Sequence, residues 1–176
     1  GTALPYDKSD WYWQPSRAIP ALDEVAPITE FPLFTILQGD PHAHLFALPI
    51  TFVVLCCVIS FLLLARNRTF RWREWTGGLL FCGMAAGALR AANTWDYYPY
   101  LFLACLASAY AAWKVSGTLS TRWRMLWACA TPMILATVAT ALYQPYLEWY
   151  IPAYVSYDFW QGSHTTPGAY LTHWGL

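Results

Sequence analysis

An aspartate and two histidines, Asp40, His42 and His44, stand together in the segment GDPHAH, directly ahead of an apolar run that opens at Leu45. Carboxylates and imidazoles can take a proton from a hydroxyl, ligate a cation or offset an anion. Asp40 occupies an N-cap position and Pro41 the first helical position, which a helix start explains without any chemistry. That account leaves His42 and His44 unexplained. Two residues apart on a helix they point ~200° apart, so both reach one metal ion only across irregular backbone. Separate roles are expected instead, one towards a substrate phosphate or carboxylate and one towards a neighbouring segment. A purely interfacial placement is the competing account.

Two further segments hold ionisable residues beside apolar ones. In LRAANTWDYYP, Arg90, Asn93 and Asp96 sit between two apolar runs, where ionisable groups are costly and therefore point to function. The plainer alternatives are that Asp96 caps the following helix, that Arg90 snorkels to the surface, or that the two pair. Nearer the start, Asp10, Arg17 and Glu30 lie among prolines and aromatics in DWYWQPSRAIP and ITEFPLF. Those residues also suit an ordinary interfacial loop.

The elements that would position these groups follow from composition. The 176 residues are 57% hydrophobic, 18% aromatic and 11% charged, against about 25% charged for an average soluble domain; the mean hydropathy is +0.32. This is a membrane protein's composition. The net charge is zero, and no basic excess of the kind that tracks phosphate backbones is present, so nucleic acid is excluded as a partner. No basic, apolar and small-residue succession of a signal peptide stands at the start. The chain is expected to be an internal piece of a longer polypeptide. The five cysteines (Cys56, Cys57, Cys82, Cys105, Cys129) all lie in apolar runs, which suits small core residues better than disulfides or zinc ligands. P-loop, dinucleotide-binding and Ser-His-Asp patterns are missing, as are repeats.

Four apolar runs approach the ~20 residues that a membrane-spanning helix needs: residues 45–65, 75–92, 97–113 and 123–143. The first and last are the more apolar. The middle two are rich in Gly and Ala, and Gly78, Gly83 and Gly87 suggest that they pack closely on each other as a hairpin. Pro49 and Pro132 fall inside spans, where neighbouring groups can compensate a missing N–H. The expected architecture is all-α and polytopic, with residues 1–44 and 144–176 as extracytoplasmic segments flanking the four spans. Arg66, Arg68, Arg71 and Arg73 in one loop and Lys114, Arg122 and Arg124 in another assign those loops to the cytoplasm by the positive-inside rule. Of the acids only Glu74 then lies inside. Asp7, Asp10, Asp23, Glu24, Glu30, Asp40, Asp96, Glu148 and Asp158 fall on the other face, together with all four histidines. Trp and Tyr clusters, TWDYYPY among them, mark that boundary as an aromatic belt. Carboxylates, arginines and imidazoles gathered under aromatics suit an anionic, partly apolar substrate.

The motifs DWYWQPSRAIP, ITEFPLFTILQGDPHAHLFALP, LRAANTWDYYPY, LYQPYL and TTPGAYL resemble, in order and spacing over nearly the whole chain, an uncharacterised prokaryotic membrane family. That family occurs in Chloroflexota and archaea and is named after a Tyr-Tyr-Tyr motif. Its acidic-His-x-His pattern falls on Asp40, His42 and His44, its Ser-Arg pair on Ser16 and Arg17, its Thr-Glu-Phe-Pro on Thr29 to Pro32, and its Asn-Thr-Trp-Asp on Asn93 to Asp96. Two departures stand out: the family usually reads Asp-Leu-His-Pro-His, and its tyrosine motif is missing here. Its members are similar to membrane-embedded glycosyltransferases of the GT-C type. The resemblance implies a polyprenyl-phosphate-linked sugar donor and chemistry on the extracytoplasmic side.

The expected function is therefore sugar transfer from a lipid-phosphate donor. A carboxylate, Asp40, Glu30 or Asp96, would deprotonate the acceptor; Arg17, His42, His44, Arg90 and Asn93 would bind substrate and offset charge on the phosphate. A divalent cation, Mg or Mn, would sit on Asp40, with His42 and His44 or with the other carboxylates, which a hard cation prefers. The partners would be the lipid bilayer, the lipid-linked sugar, and the rest of a longer polypeptide or other membrane subunits. The rival is a non-catalytic subunit of a membrane complex, with the same residues serving as internal pairs and docking surface. Transport ranks last, because the polar residues within the spans (Thr51, Ser60, Ser108, Thr131, Thr137, Thr140) are neutral and readily satisfied by backbone carbonyls.

Overall fold

The computed structural model describes residues 35–36, 39, 42–68, 71–150, 159, 161–162 and 164–174. All regular structure among them is helical: α1 (Ala43–Asn67), α2 (Trp72–Ala92), α3 (Thr94–Val115), α4 (Thr121–Ala141), and two short helices, α5 (Gln144–Trp149) and α6 (Pro167–Trp174). The chain divides into two units, Ala43–Ala153 and a second made of Gly1–His42 with Tyr154–Leu176. In the second unit, α6 opens on Thr166, whose hydroxyl accepts from the Ala169 N–H at 3.3 Å, ahead of Pro167 at the first helical position.

The first unit is a four-helix arrangement in which α2 and α3 each pack against both other long helices and against one another; α1 and α4 share no comparable interface. The two middle helices thus form the short diagonal. By length and composition α1 and α4 can cross a membrane. Helix α2 is far more enclosed than α4, with eight buried residues against three. Between helices in a bilayer there is little hydrophobic driving force, so the inner pair is built for close contact rather than for lipid. Its core is alanine-rich: Ala85, Ala86, Ala104, Ala107, Ala111 and Ala112 are all buried.

Glycine does its packing work elsewhere than expected. Gly83 and Gly87 do not line the α2–α3 contact but face α4, which runs parallel to α2. A Cβ on Gly83 would lie 2.8 Å from Val138 Cγ1 and 3.0 Å from the Leu135 carbonyl; on Gly87 it would lie 2.5 Å from the Ala139 carbonyl and 2.6 Å from the Tyr143 ring. Gly78 meets only Phe61 of α1, at 3.8 Å. Sequence adjacency suggested the hairpin partner, but one turn of spacing from Gly83 to Gly87 matches one turn from Leu135 to Ala139. That register lets two parallel backbones touch.

Pro132 lies inside α4, and α3 supplies polar contacts around it. The Cys105 thiol donates to the Pro132 carbonyl at 3.7 Å, and the Thr131 hydroxyl lies 3.1 Å from Trp127 O and 3.5 Å from Ser108 O. Ser60, Ser108 and Thr140 donate to Cys56 O, Cys105 O and Ala136 O at 2.8, 2.9 and 2.9 Å. These hydroxyls are satisfied locally, as neutral polar groups in spans should be. At the basic ends, Arg68 closes α1 in the left-handed region (φ 51). Arg124 stacks over Trp113 at 3.9 Å and donates to its carbonyl at 3.3 Å, tying the start of α4 to the end of α3.

The glycine contact gives a direct expectation. Gly87→Ala should destabilise the detergent-solubilised protein by about 1–3 kcal/mol, because neither a carbonyl nor a packed ring can yield to the new methyl. Gly77→Ala, where a Cβ meets nothing within 4 Å, should be neutral or slightly stabilising through helix propensity. Thermal unfolding of both variants checks this, and equal melting temperatures would exclude the close approach.

Candidate functional site

The end of the four-helix unit that holds Arg90, Asn93 and Asp96 is built around a single connecting residue. Asn93 (φ −156, ψ 106) is the C-cap of α2 and the N-cap of α3 at once. Its N–H donates to Leu89 O at 2.7 Å, its side-chain carbonyl accepts from Trp95 N–H at 3.3 Å, and its Nδ2 donates to Asp96 Oδ2 at 2.8 Å. Asp96 therefore stands at the third helical position. The cap is Asn93, and Asp96 braces it. A carboxylate there also meets the positive end of the α3 dipole.

Arg90 is half-buried one turn before the joint. It does not pair with Asp96; its guanidinium lies over the Tyr97 ring, 5.4 Å from the centroid. Among the described residues no carboxylate lies in ion-pair range of Arg90, and Asp96 Oδ1 has no hydrogen-bond partner. Tyr97 itself is only 4% exposed, whereas Trp95 and Tyr98 beside it are 75% and 53% exposed. Tyr97 thus belongs to the interior rather than to an aromatic belt. Its hydroxyl lies 3.5 Å from Thr140 Oγ1 of α4. Tyr143, just past α4, lays its ring against Gly87 and donates to Met84 O at 3.1 Å. Beyond it Tyr146 and Tyr150 stack with centroids 5.1 Å apart and planes 17° from parallel. Burial, and then the neighbouring Tyr150, push the Tyr146 phenol above its ordinary range, so it remains a neutral hydrogen-bonding group.

The arrangement sets the Arg90 cation of α2 over Tyr97 of α3, whose hydroxyl reaches Thr140 of α4, with the Asp96 carboxylate bracing the joint and Tyr143, just past α4, packed against α2. In the sequence Tyr97 reads only as part of an aromatic belt, Thr140 as a neutral residue within a span and Tyr143 as the end of the last apolar run; their contacts here do not follow from that reading. Seven positions separate Arg90 from Tyr97, with the helix joint between them, and no spacing rule links a residue before such a joint to one after it.

His44 stands exposed in the first turn of α1, and His42 immediately precedes that helix, half-buried in the other unit. Arg17, Glu30 and Asp40 lie outside the described residues. Among the described residues no three His, Cys, Asp or Glu side chains are grouped to hold a metal ion.

No curated protein and no solved structure matches this chain. The model of an uncharacterized membrane protein family, DUF2298, matches residues 2–176. An integral membrane bundle with one polar, tyrosine-walled end thus finds its place: the chain belongs to that DUF2298 family of membrane proteins.

Proposed function

We propose that the Arg90 end of the bundle binds the phosphate of a lipid-linked sugar and that the chain forms part of a membrane-embedded glycosyltransferase of the GT-C kind, working on the extracytoplasmic face. The observation that carries this reading is Arg90: a half-buried guanidinium held by a buried aromatic ring, with no carboxylate partner among the described residues. A cation kept in a partly apolar setting without a partner is costly unless an anion arrives. A phosphate whose hydrocarbon tail lies in the bilayer suits that position. The resemblance of the DPHAH and NTWD segments to a family with GT-C-like members supports the same substrate class.

In the transfer, the bond between the anomeric carbon and the phosphate oxygen breaks, the electron pair leaves with the lipid phosphate, and the acceptor oxygen bonds to that carbon. The acceptor's proton goes to a carboxylate. Asp96 Oδ1 is the group of the described residues suited to receive it, with Asp40 and Glu30 as alternatives. Arg90 stabilises the charge gathering on the departing phosphate, an interaction stronger in the transition state than before it.

A second reading has its own observation. The Asn93–Asp96 hydrogen bond is a complete helix-start device, so these two residues are accounted for in a non-catalytic membrane subunit as well.

Transfer from a radiolabelled polyprenyl-phosphate sugar, assayed in membranes that contain the intact parent protein, separates the two. Arg90→Gln should lower turnover by about 10²–10³, the usual consequence of losing one transition-state donor, with partial recovery in Arg90→Lys and little change in melting temperature. Asp96→Asn keeps the bond to Asn93 within reach and should lower turnover by about 10²–10⁴ if Asp96 is the base. Full activity in both variants would sink the catalytic reading; a fall in melting temperature without any measurable transfer by the unaltered protein would favour the subunit.

Sidedness has an independent check. With the five native cysteines replaced by alanine, Trp149→Cys should react with an impermeant maleimide added outside intact cells, and Thr118→Cys only after lysis. The reverse pattern would turn the proposed site towards the cytoplasm.

A further inference from the structure

At the opposite end of the first unit, α2 and α4 part. Their backbones touch at Gly83 and Gly87, but towards their N-termini indoles replace glycine, and a side-opening groove of about 400 Å³ lies between them. Its walls include Trp72, Trp75 and Leu79 from α2, and Trp123, Trp127 and Ile134 from α4. The volume falls in the range of ordinary ligand sites, about 300–1,000 Å³. The lining is mostly apolar, Thr76 and Thr131 being its polar members, and the hydroxyl of Thr131 is already bonded to the Trp127 carbonyl at 3.1 Å. An occupant of the interior is therefore hydrocarbon.

The mouth is of the opposite character. Arg73 lies over the ring of Trp72, itself a lining residue, at 5.3 Å, and Arg122 is the sequence neighbour of the lining Trp123 in the first turn of α4; both stand beside the groove rather than in its lining. Neighbouring basic residues are engaged elsewhere: Arg71 pairs with Glu74 at 3.1 Å, and Arg124 lies on Trp113. Arg73 and Arg122 have no ion-pair partner among the described residues. An apolar slot with two cations beside it is complementary to an amphiphile with one tail in the slot and a negative head at the rim. The surrounding Arg66, Arg68 and Lys114 add charge of the same sign, and the rule that places basic loops in the cytoplasm puts this mouth at the leaflet richest in anionic lipid.

We infer that the α2–α4 groove is a binding site for an anionic phospholipid, one acyl chain lying between the four tryptophans and the head group held by Arg73 and Arg122. This lipid is distinct from the sugar donor proposed above, since it occupies the other end of the bundle. It would wedge open the interval that glycine closes at the far end, and so fix the relative position of α2 and α4.

The tryptophans themselves report on the site. The full chain, reconstituted into vesicles of phosphatidylcholine containing either dibrominated phosphatidylglycerol or dibrominated phosphatidylcholine, is read by quenching of intrinsic fluorescence. At equal mole fraction the brominated anionic lipid should quench more strongly, with a relative affinity about five-fold or more above the zwitterionic one, as expected for one or two arginines near a head group. Arg73→Gln combined with Arg122→Gln should bring the ratio to about one, and Arg122→Gln alone to an intermediate value. Ala130→Phe, which fills the groove, should reduce quenching by both lipids. Trp75→Phe with Trp127→Phe should reduce the part of the signal that depends on head-group charge, leaving the share reported by Trp72 and Trp123. Equal quenching by the two lipids overturns the inference, as does a preference that survives loss of both arginines. Groove tryptophans shielded from every brominated lipid would also overturn it, because a protein helix would then cover the groove.

Discussion

The contact on which the rest of the four-helix unit depends is the approach of α2 to α4 at Gly83 and Gly87. Lipid tails are as apolar as the side chains they would replace, so helices in a bilayer hold together by surface fit and not by escape from water. Here the fit is of backbone to backbone, with the Leu135 and Ala139 carbonyls set where side chains would otherwise stand. That approach brings the Tyr143 ring over Gly87 and its hydroxyl to the Met84 carbonyl. It also brings α4 near enough for Thr140 to meet Tyr97. Arg90 then has a ring to lie on. The polar end of the molecule is thus a consequence of packing one to two turns below it.

The inner pair of helices illustrates how a membrane bundle redistributes apolarity. A soluble bundle hides its most hydrophobic faces, whereas here α1, the most apolar of the four, lies at one far corner, α4 at the other, and the Gly/Ala-rich α2 and α3 between them. Large side chains such as Phe52, Leu62, Phe102 and Met133 point away from the protein. Hydroxyls of Ser60, Ser108 and Thr140 return to their own helices. None of these groups needs a partner from another element.

Much of this architecture was legible in the residues. The apolar runs beginning at Leu45 and Trp123 announced long helices, and the glycines of α2 announced a close approach. What they did not announce was the partner, because small residues specify how near another helix comes and not which helix it is. Asp96 was read as a cap from its type alone, yet Asn93 caps, since an amide accepts from one backbone N–H while donating to the carboxylate three residues on. The pairing of Arg90 with Tyr97 was hidden for a different reason: helical periodicity ends at a joint, and contacts across it depend on a backbone conformation that composition does not specify. Arg17, Glu30 and Asp40 fall outside the described residues, so their relation to Arg90 rests on the motif pattern alone.

Asn93 also has a mechanical meaning. Linkers of several residues let helices swing independently, but one extended residue whose own groups are bonded to both helices leaves almost no hinge. A push on α3 is passed to the last turn of α2 without being absorbed. The guanidinium of Arg90, the ring beneath it and the carboxylate of Asp96 therefore move as one body, keeping their mutual distances when the bundle breathes. On the function proposed above, such a trio would meet an incoming anion already arranged.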